Sequence, residues 1–231
     1  MIVSGRNNVK EILKNFSNKN IIKQVICTKN FNEKDILSLV EKRKIKLDFK
    51  EKWELDKLAK NNHQGIIMIT SDFSYTSLDD LINNSNKLII LDHLEDPHNL
   101  GAIIRTVEAS GCDGIIIPKN RTVDVNETVM KTSVGALFNV KISQVTNLNQ
   151  TIQKLKKEGF WIIGTDMDGE DYRNIKYPEI SVLVIGSEGF GMSRLINDSC
   201  DYVATIPMYG KINSLNASVA AGIMIYELVR K

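Results

Sequence analysis

Apolar positions recur along the chain in two textures. Over residues 1–70, VKEILKNF, EKDILSLVEKR and WELDKLAKN carry the three-to-four-residue spacing of one helix face, whereas IKQVICT, IKLDF and GIIMIT read as strands. The stretch SDFSYTSLDDLINNSNK is rich in Ser, Asp and Asn around one short amphipathic segment, the pattern of a linker holding a turn or two of helix. From Lys87 onward a longer series begins. KLIILD, GIIIP, NVKIS, FWIIGT, SVLVIG and YVATIP read as buried strands, with helical patterns at residues 99–110, 126–134, 147–158 and 192–197 between them. NASVAAGIMIYELVRK closes the chain as a helix whose Ala and Gly positions admit a closely packed neighbour. Alternating strands and helices predict an α/β protein with a mostly parallel sheet covered on both faces. The expected organisation is a small α/β domain over 1–70, a linker over 71–86 and a larger α/β domain over 87–231.

Charge sharpens this division. Residues 1–70 hold 15 Lys and Arg against 8 Asp and Glu, a net +7, whereas residues 71–231 hold 15 against 20, a net −5. A basic module on an acidic body points to contact with an anionic polymer through the front third, such as a nucleic acid. A general richness in Lys and Asn is the plainer alternative. The longest apolar runs fall well short of the roughly 20 residues of a membrane span. MIVSGRNNVKEIL lacks the basic start and long apolar core of a secretory signal, so a cytoplasmic protein is expected. Cys27, Cys112 and Cys200 are widely separated and form no CxxC pair, and His63, His93 and His98 are not grouped with them, so neither a disulfide framework nor a metal site is expected.

Candidate chemistry gathers where strands give way to loops, the edge at which open α/β sheets bind ligands. In LDHLEDPHNLGAIIRTVEASG, Asn99 stands where a helix cap is favoured, and Arg105 lies six residues on, among Ile103, Ile104 and Val107. Asn99 as a simple cap and Arg105 as a solvated or ion-paired helix residue are the bland alternatives. In SVLVIGSEGFGMSR a strand enters a loop with Gly186, Gly189 and Gly191, residues that permit close approach of backbone to a ligand. This loop matches neither GxxxxGK[ST] nor GxGxxG. Glu188 would repel a pyrophosphate but tolerate a cationic ligand such as an adenosyl sulfonium. In YVATIPMYGKINSLNASVAAG, Ser214, Asn216 and Ser218 offer groups that hydrogen-bond a ribose or merely cap the last helix.

DPHNLGAIIRTVEASG, IGSEGFGMS and IPMYGKINSLNASVAAGI together resemble, in order and spacing, the three motifs of the TrmH branch of the SPOUT RNA methyltransferases, the SpoU family. This resemblance covers residues 87–231. Upstream, GRNNVKEIL and the α/β pattern to residue 70 resemble the ribosomal-protein-like substrate domain of the ribosomal RNA members. It implies a C-terminal methyltransferase domain tied in a trefoil knot, a feature that periodicity does not propose. It further implies S-adenosylmethionine as cofactor, held by main-chain groups at Gly186, Ile206 and Leu215 with Thr165 beside them, and a homodimer formed through the knot region.

The implied reaction is methyl transfer to a ribose 2′-hydroxyl of RNA, most like the enzymes that modify a guanosine in large-subunit ribosomal RNA. Family position puts Arg105 at hydroxyl activation, with Asn99, Glu188, Ser214 and Asn216 framing the pocket. A guanidinium stays protonated at neutral pH, so orienting the ribose and stabilising a developing alkoxide suit Arg105 better than proton abstraction. Glu188 is a candidate bidentate partner for Arg105. Other readings are a transfer RNA methyltransferase, a nicotinamide-dependent oxidoreductase, which lacks a GxGxxG after its first strand, and a non-catalytic RNA-binding protein of the same fold.

Overall fold

The computed structural model describes residues 1–15, 21–59, 62–187 and 191–230. The chain forms two compact units. Met1–Ser74 joins Val125–Phe138 in the first, and Tyr75–Asp124 joins Asn139–Lys231 in the second.

Strands β1 (Ile2–Ser4), β2 (Ile22–Thr28), β3 (Leu47–Lys50) and β4 (Ile66–Thr70) build the sheet of the first unit in the order β1-β4-β2-β3. β4 runs antiparallel to β1 and β2, and β2 pairs in parallel with β3. Because side chains alternate across a strand, Ile26 and Ile67 share one face, where they pack with Leu55 and Ala59 around helix α3 (Lys52–Leu58). Glu51 and Glu54 form a reciprocal capping box at the start of that helix. Helix α1 (Arg6–Asn15) buries Val9, Ile12 and Leu13, a three-to-four-residue stripe, and packs beside α2 (Lys34–Lys42). β1 escapes the sequence pattern because three residues are too few to show alternation. The middle of the chain also contributes here. Helix α6 (Glu127–Thr132), capped by the Asn126 side chain at 2.9 and 3.0 Å from the Thr128 and Val129 amides, packs against β1.

The second unit opens with α4 (Leu78–Asn83), capped by Ser77. Its residues Leu81 and Ile82 belong to the core, so the polar stretch read as a linker contains a packed helix. β5 (Lys87–Leu91), β6 (Gly114–Pro118), β7 (Lys141–Val145), β8 (Trp161–Asp171), β9 (Ser181–Ile185) and β10 (Tyr202–Thr205) form a parallel sheet in the order β10-β8-β9-β5-β6-β7. Apolar runs without alternation fit strands covered on both faces, and β6 and β9 are buried at every position. One face holds Leu88, Ile90, Ile116, Ile162, Val182 and Val184 against α4, α7 (Leu148–Lys157) and α8 (Arg194–Asn197). Truncating such a buried side chain to alanine costs about 2–5 kcal/mol. On the other face α5 (Pro97–Ser110) and α9 (Ala217–Leu228) pack together.

β8 runs six residues past FWIIGT, through polar residues that meet β10 after a register shift between Val203 and Ala204. The chain moves outward from β5 through β6 to β7, then crosses to β8 on the other side, so the order reverses between β5 and β9. Such a switch point opens a crevice at the carboxyl ends of the strands. From edge strand β10 the chain returns to lay α9 on β9 and α5. Among the described residues no helix is long and apolar enough to cross a membrane.

Candidate active site

The loops after β5, β9 and β10 leave this carboxyl edge. Helix α5 starts earlier than the sequence pattern suggests, because Pro97 presets the first helical φ and Asp96 caps it, its carboxylate accepting from the His98 amide at 2.9 Å. The expectation that Asn99 caps the helix is therefore corrected. Asn99 lies inside the first turn, 5% exposed, and its Oδ1 accepts from Nδ2 of Asn216 at 3.1 Å. Asn216 is the residue that caps, for α9: its Oδ1 accepts from the Ser218 and Val219 amides at 3.0 and 3.4 Å and from the Ser218 hydroxyl at 2.6 Å. One amide thus starts a helix with its oxygen and ties the first motif to the third with its nitrogen.

Arg105 projects from the exposed side of α5, although its neighbours Ile103 and Ile104 are buried, and it makes no hydrogen bond or ion pair among the described residues. Glu188, and with it the expected pairing to Arg105, lies outside the described residues.

The loop after β9 is pinched at its base. Ser187 and Gly191 exchange main-chain hydrogen bonds at 3.0 and 3.1 Å, and Gly191 takes φ +65°. A Cβ on Gly186 would lie 2.4 Å from the Gly191 carbonyl carbon and 2.6 Å from the Met192 nitrogen. The glycine is needed here because the chain's own backbone at Gly191 and Met192 fills the space. Thr165 donates to the Val184 carbonyl at 3.0 Å, which fixes β8 to β9 just before the loop.

Sequence reading missed Asp92. This carboxylate, 2% exposed at the end of β5, pairs through Oδ1 with the His93 ring and through Oδ2 accepts from the Ser193 amide at 3.2 Å, while its own amide donates to Ile185 at 2.8 Å. An acidic residue closing an otherwise apolar strand was the available signal.

The loop after β10 is built in the opposite way. Between Ile206 and Leu215 the main-chain groups make no backbone hydrogen bond among the described residues. Among the described residues its side-chain tether is Tyr209, whose hydroxyl accepts from Arg173 at 2.9 Å. That guanidinium also pairs with Asp171 and holds its carboxyl down to about 2. Ile206 is half-buried, Ser214 and Leu215 are exposed, and Tyr209 and Ile212 are 84% and 76% exposed. Unpaired main-chain donors and acceptors at the carboxyl edge of the sheet fit a ligand held by backbone. The exposed apolar residues suit a covering surface.

An open parallel sheet with loops clustered at its switch point defines an α/β protein of the open-sheet class that binds ligands at that edge. Residues 86–226 match the SpoU rRNA methylase family, and residues 2–76 match the RNA 2′-O ribose methyltransferase substrate-binding family. A Staphylococcus epidermidis protein named for the TrmH family of tRNA/rRNA methyltransferases is 45% identical over 240 residues, covering 100% of this chain and 96% of that protein. The AdoMet-bound rRNA methyltransferase of Sinorhizobium meliloti superposes with a TM-score of 0.77 at 26% identity, over 98% of this chain and 85% of that one. The TrmH/SpoU tRNA modifying enzyme of A. aeolicus superposes with a TM-score of 0.58 at 32% identity, over 66% of this chain and 80% of that one. The chain belongs to the SpoU methylase family and is an RNA methyltransferase.

Proposed function

We propose that this chain transfers a methyl group from S-adenosylmethionine to a ribose 2′-hydroxyl of RNA, with a guanosine of large-subunit ribosomal RNA as the acceptor. The observation that carries this reading is the Asn99–Asn216 hydrogen bond, which joins the first and third motifs beside the open loop at residues 206–215. When bound there, S-adenosylmethionine supplies a methyl group made electrophilic by the adjoining positive sulfur. Unpaired main-chain groups of that loop, with Gly186 and Thr165 alongside, hold it.

The protein's own task is to position the ribose and favour loss of the hydroxyl proton. Arg105, exposed and unengaged among the described residues, donates to the ribose oxygen as negative charge develops on it. Arg105 serves as a donor and not as the base, so the proton leaves to water or another base. Asn99 and Asn216 fix the two helix starts between which this happens. Ser214 and Glu188 complete the frame by family position.

In this reading the basic first unit binds the RNA, and a substrate-binding unit favours ribosomal over transfer RNA. The enzyme is a cytoplasmic homodimer with a knotted C-terminal fold, and the exposed apolar residues of the open loop and of α9, Val219 and Tyr226, are covered by the second copy. The test is nucleotide-resolution mapping of 2′-O-methylation in cells with and without the gene. Loss of one guanosine mark in large-subunit RNA is the expected result. An unchanged ribosomal map with a lost transfer RNA mark reassigns the substrate, and no change in either map overturns the reading.

A further inference from the structure

A cavity of about 560 Å³ opens at the carboxyl edge of the second sheet, between the loops that follow β5, β6 and β9. Asp92, His93, Glu95, Arg121 and Ser193 are among its lining residues. We propose that Arg121 anchors a backbone phosphate of the RNA strand at the nucleotide being methylated, which rests on the reading of RNA as methyl acceptor.

Three observations converge on Arg121. It is exposed and makes no hydrogen bond or ion pair among the described residues, a state that among the arginines of the same unit it shares with Arg105 but not with Arg173, Arg194 or Arg230, each of which has a carboxylate partner. Its turn is pinned on both sides: the Lys119 amide donates to Val145 at 2.8 Å, and the Thr122 hydroxyl and Val123 amide both donate to the Leu94 carbonyl, at 2.8 and 2.9 Å. Between these anchors Arg121 adopts φ +54°, a left-handed conformation that costs a long side chain free energy, and His93 on the same cavity does likewise at +59°. The fold thus holds an unpaired, fork-shaped donor at a fixed place over an open cavity, and such a donor matches a phosphate.

The acidic groups nearby define the rest of the ligand. Asp92 is turned inward and engaged by His93 and the Ser193 amide. Glu95 remains exposed on the cavity as an acceptor. A free polyanion would be opposed by Glu95, whereas a nucleotide within a strand brings both a phosphate for Arg121 and hydroxyl or amino donors for Glu95.

The test compares the parent with Arg121→Asn, which suits a left-handed backbone, and Arg121→Lys, which keeps the charge. The RNA is ribosomal RNA from cells lacking the gene. For Arg121→Asn the KM for RNA should rise about tenfold, and filter binding should lose about one from the slope of log affinity against log salt. Affinity for S-adenosylmethionine and kcat at saturating RNA should stay within about twofold of the parent. Arg121→Lys should restore the slope. An unchanged KM and slope in an active Arg121→Asn protein overturns this proposal alone, as does equal loss of cofactor and RNA binding. A parent that transfers no methyl group to any RNA overturns the reading beneath it as well.

Discussion

The loops after β9 and β10 leave the same edge of one sheet, yet they are held in opposite ways. The first is fixed at its base, through the Ser187–Gly191 pair, the crowding around Gly186 and the Asp92 carboxylate on Ser193. The second exposes Tyr209 and Ile212 and keeps its main-chain groups unpaired among the described residues. A loop base fixed by its own chain is set before anything binds. A loop rich in unmet hydrogen bonds and bare apolar surface draws its partners from outside, here a cofactor and, in the proposed dimer, a second copy. Asn216 stands at the junction, because it bonds α5 from the end of the open loop.

The largest effect should come from breaking the closed loop. Gly186→Val forces a branched side chain against the Gly191 and Met192 backbone, and if the loop shifts out of its binding form to relieve about 3 kcal/mol of overpacking, S-adenosylmethionine affinity should fall about a hundredfold by calorimetry. Parental affinity would show that the closed form is not the binding form. Arg105→Lys tests the reacting groups these loops serve. It should slow single-turnover methylation by about a hundredfold, with melting temperature and cofactor affinity unchanged, because the planar fork is lost while no contact among the described residues is broken. A near-parental rate would remove Arg105 from the chemistry.

On the open loop, Ile212→Asp should weaken dimerisation by about tenfold or more in sedimentation, as expected for placing a charge in an apolar contact. A parental dimer would place the interface elsewhere. The smallest effect concerns the junction. Asn216→Ala loses the α9 cap, about 1 kcal/mol, which lowers the melting temperature by about 2–4 °C. Asn216→Asp keeps the cap acceptor but not the nitrogen that reaches Asn99, so it should melt close to the parent and still methylate slowly. Equal melting losses in both variants would show that the Asn99 bond, rather than the cap, carries the stability.

Strands β5, β6 and β9 were legible because fully buried parallel strands write unbroken apolar runs. The polar half of β8 was not, since it meets its partner β10 at the sheet edge, where no apolar pattern is required. For the site, the motif residues could be named, but their relations could not. Asn99 looked like a cap, and only the position of Pro97 behind Asp96 moves the helix start two residues back. Its partner is 117 residues away in the chain, beyond any local pattern. Asp92 and Arg121 stayed hidden for the same reason, as their significance lies in which distant loops meet around them.

Helix α6 and the 3-10 turn at Ala136–Phe138 belong to the first unit although 50 residues of the second unit, Tyr75–Asp124, precede them. During synthesis at about 5–20 residues per second, the first sheet therefore waits roughly 3–10 seconds for the segment that covers β1. By then β5 and β6 have also emerged, so part of the second unit is made before the first can be completed, and a nascent chain halted near residue 74 holds an unfinished first unit.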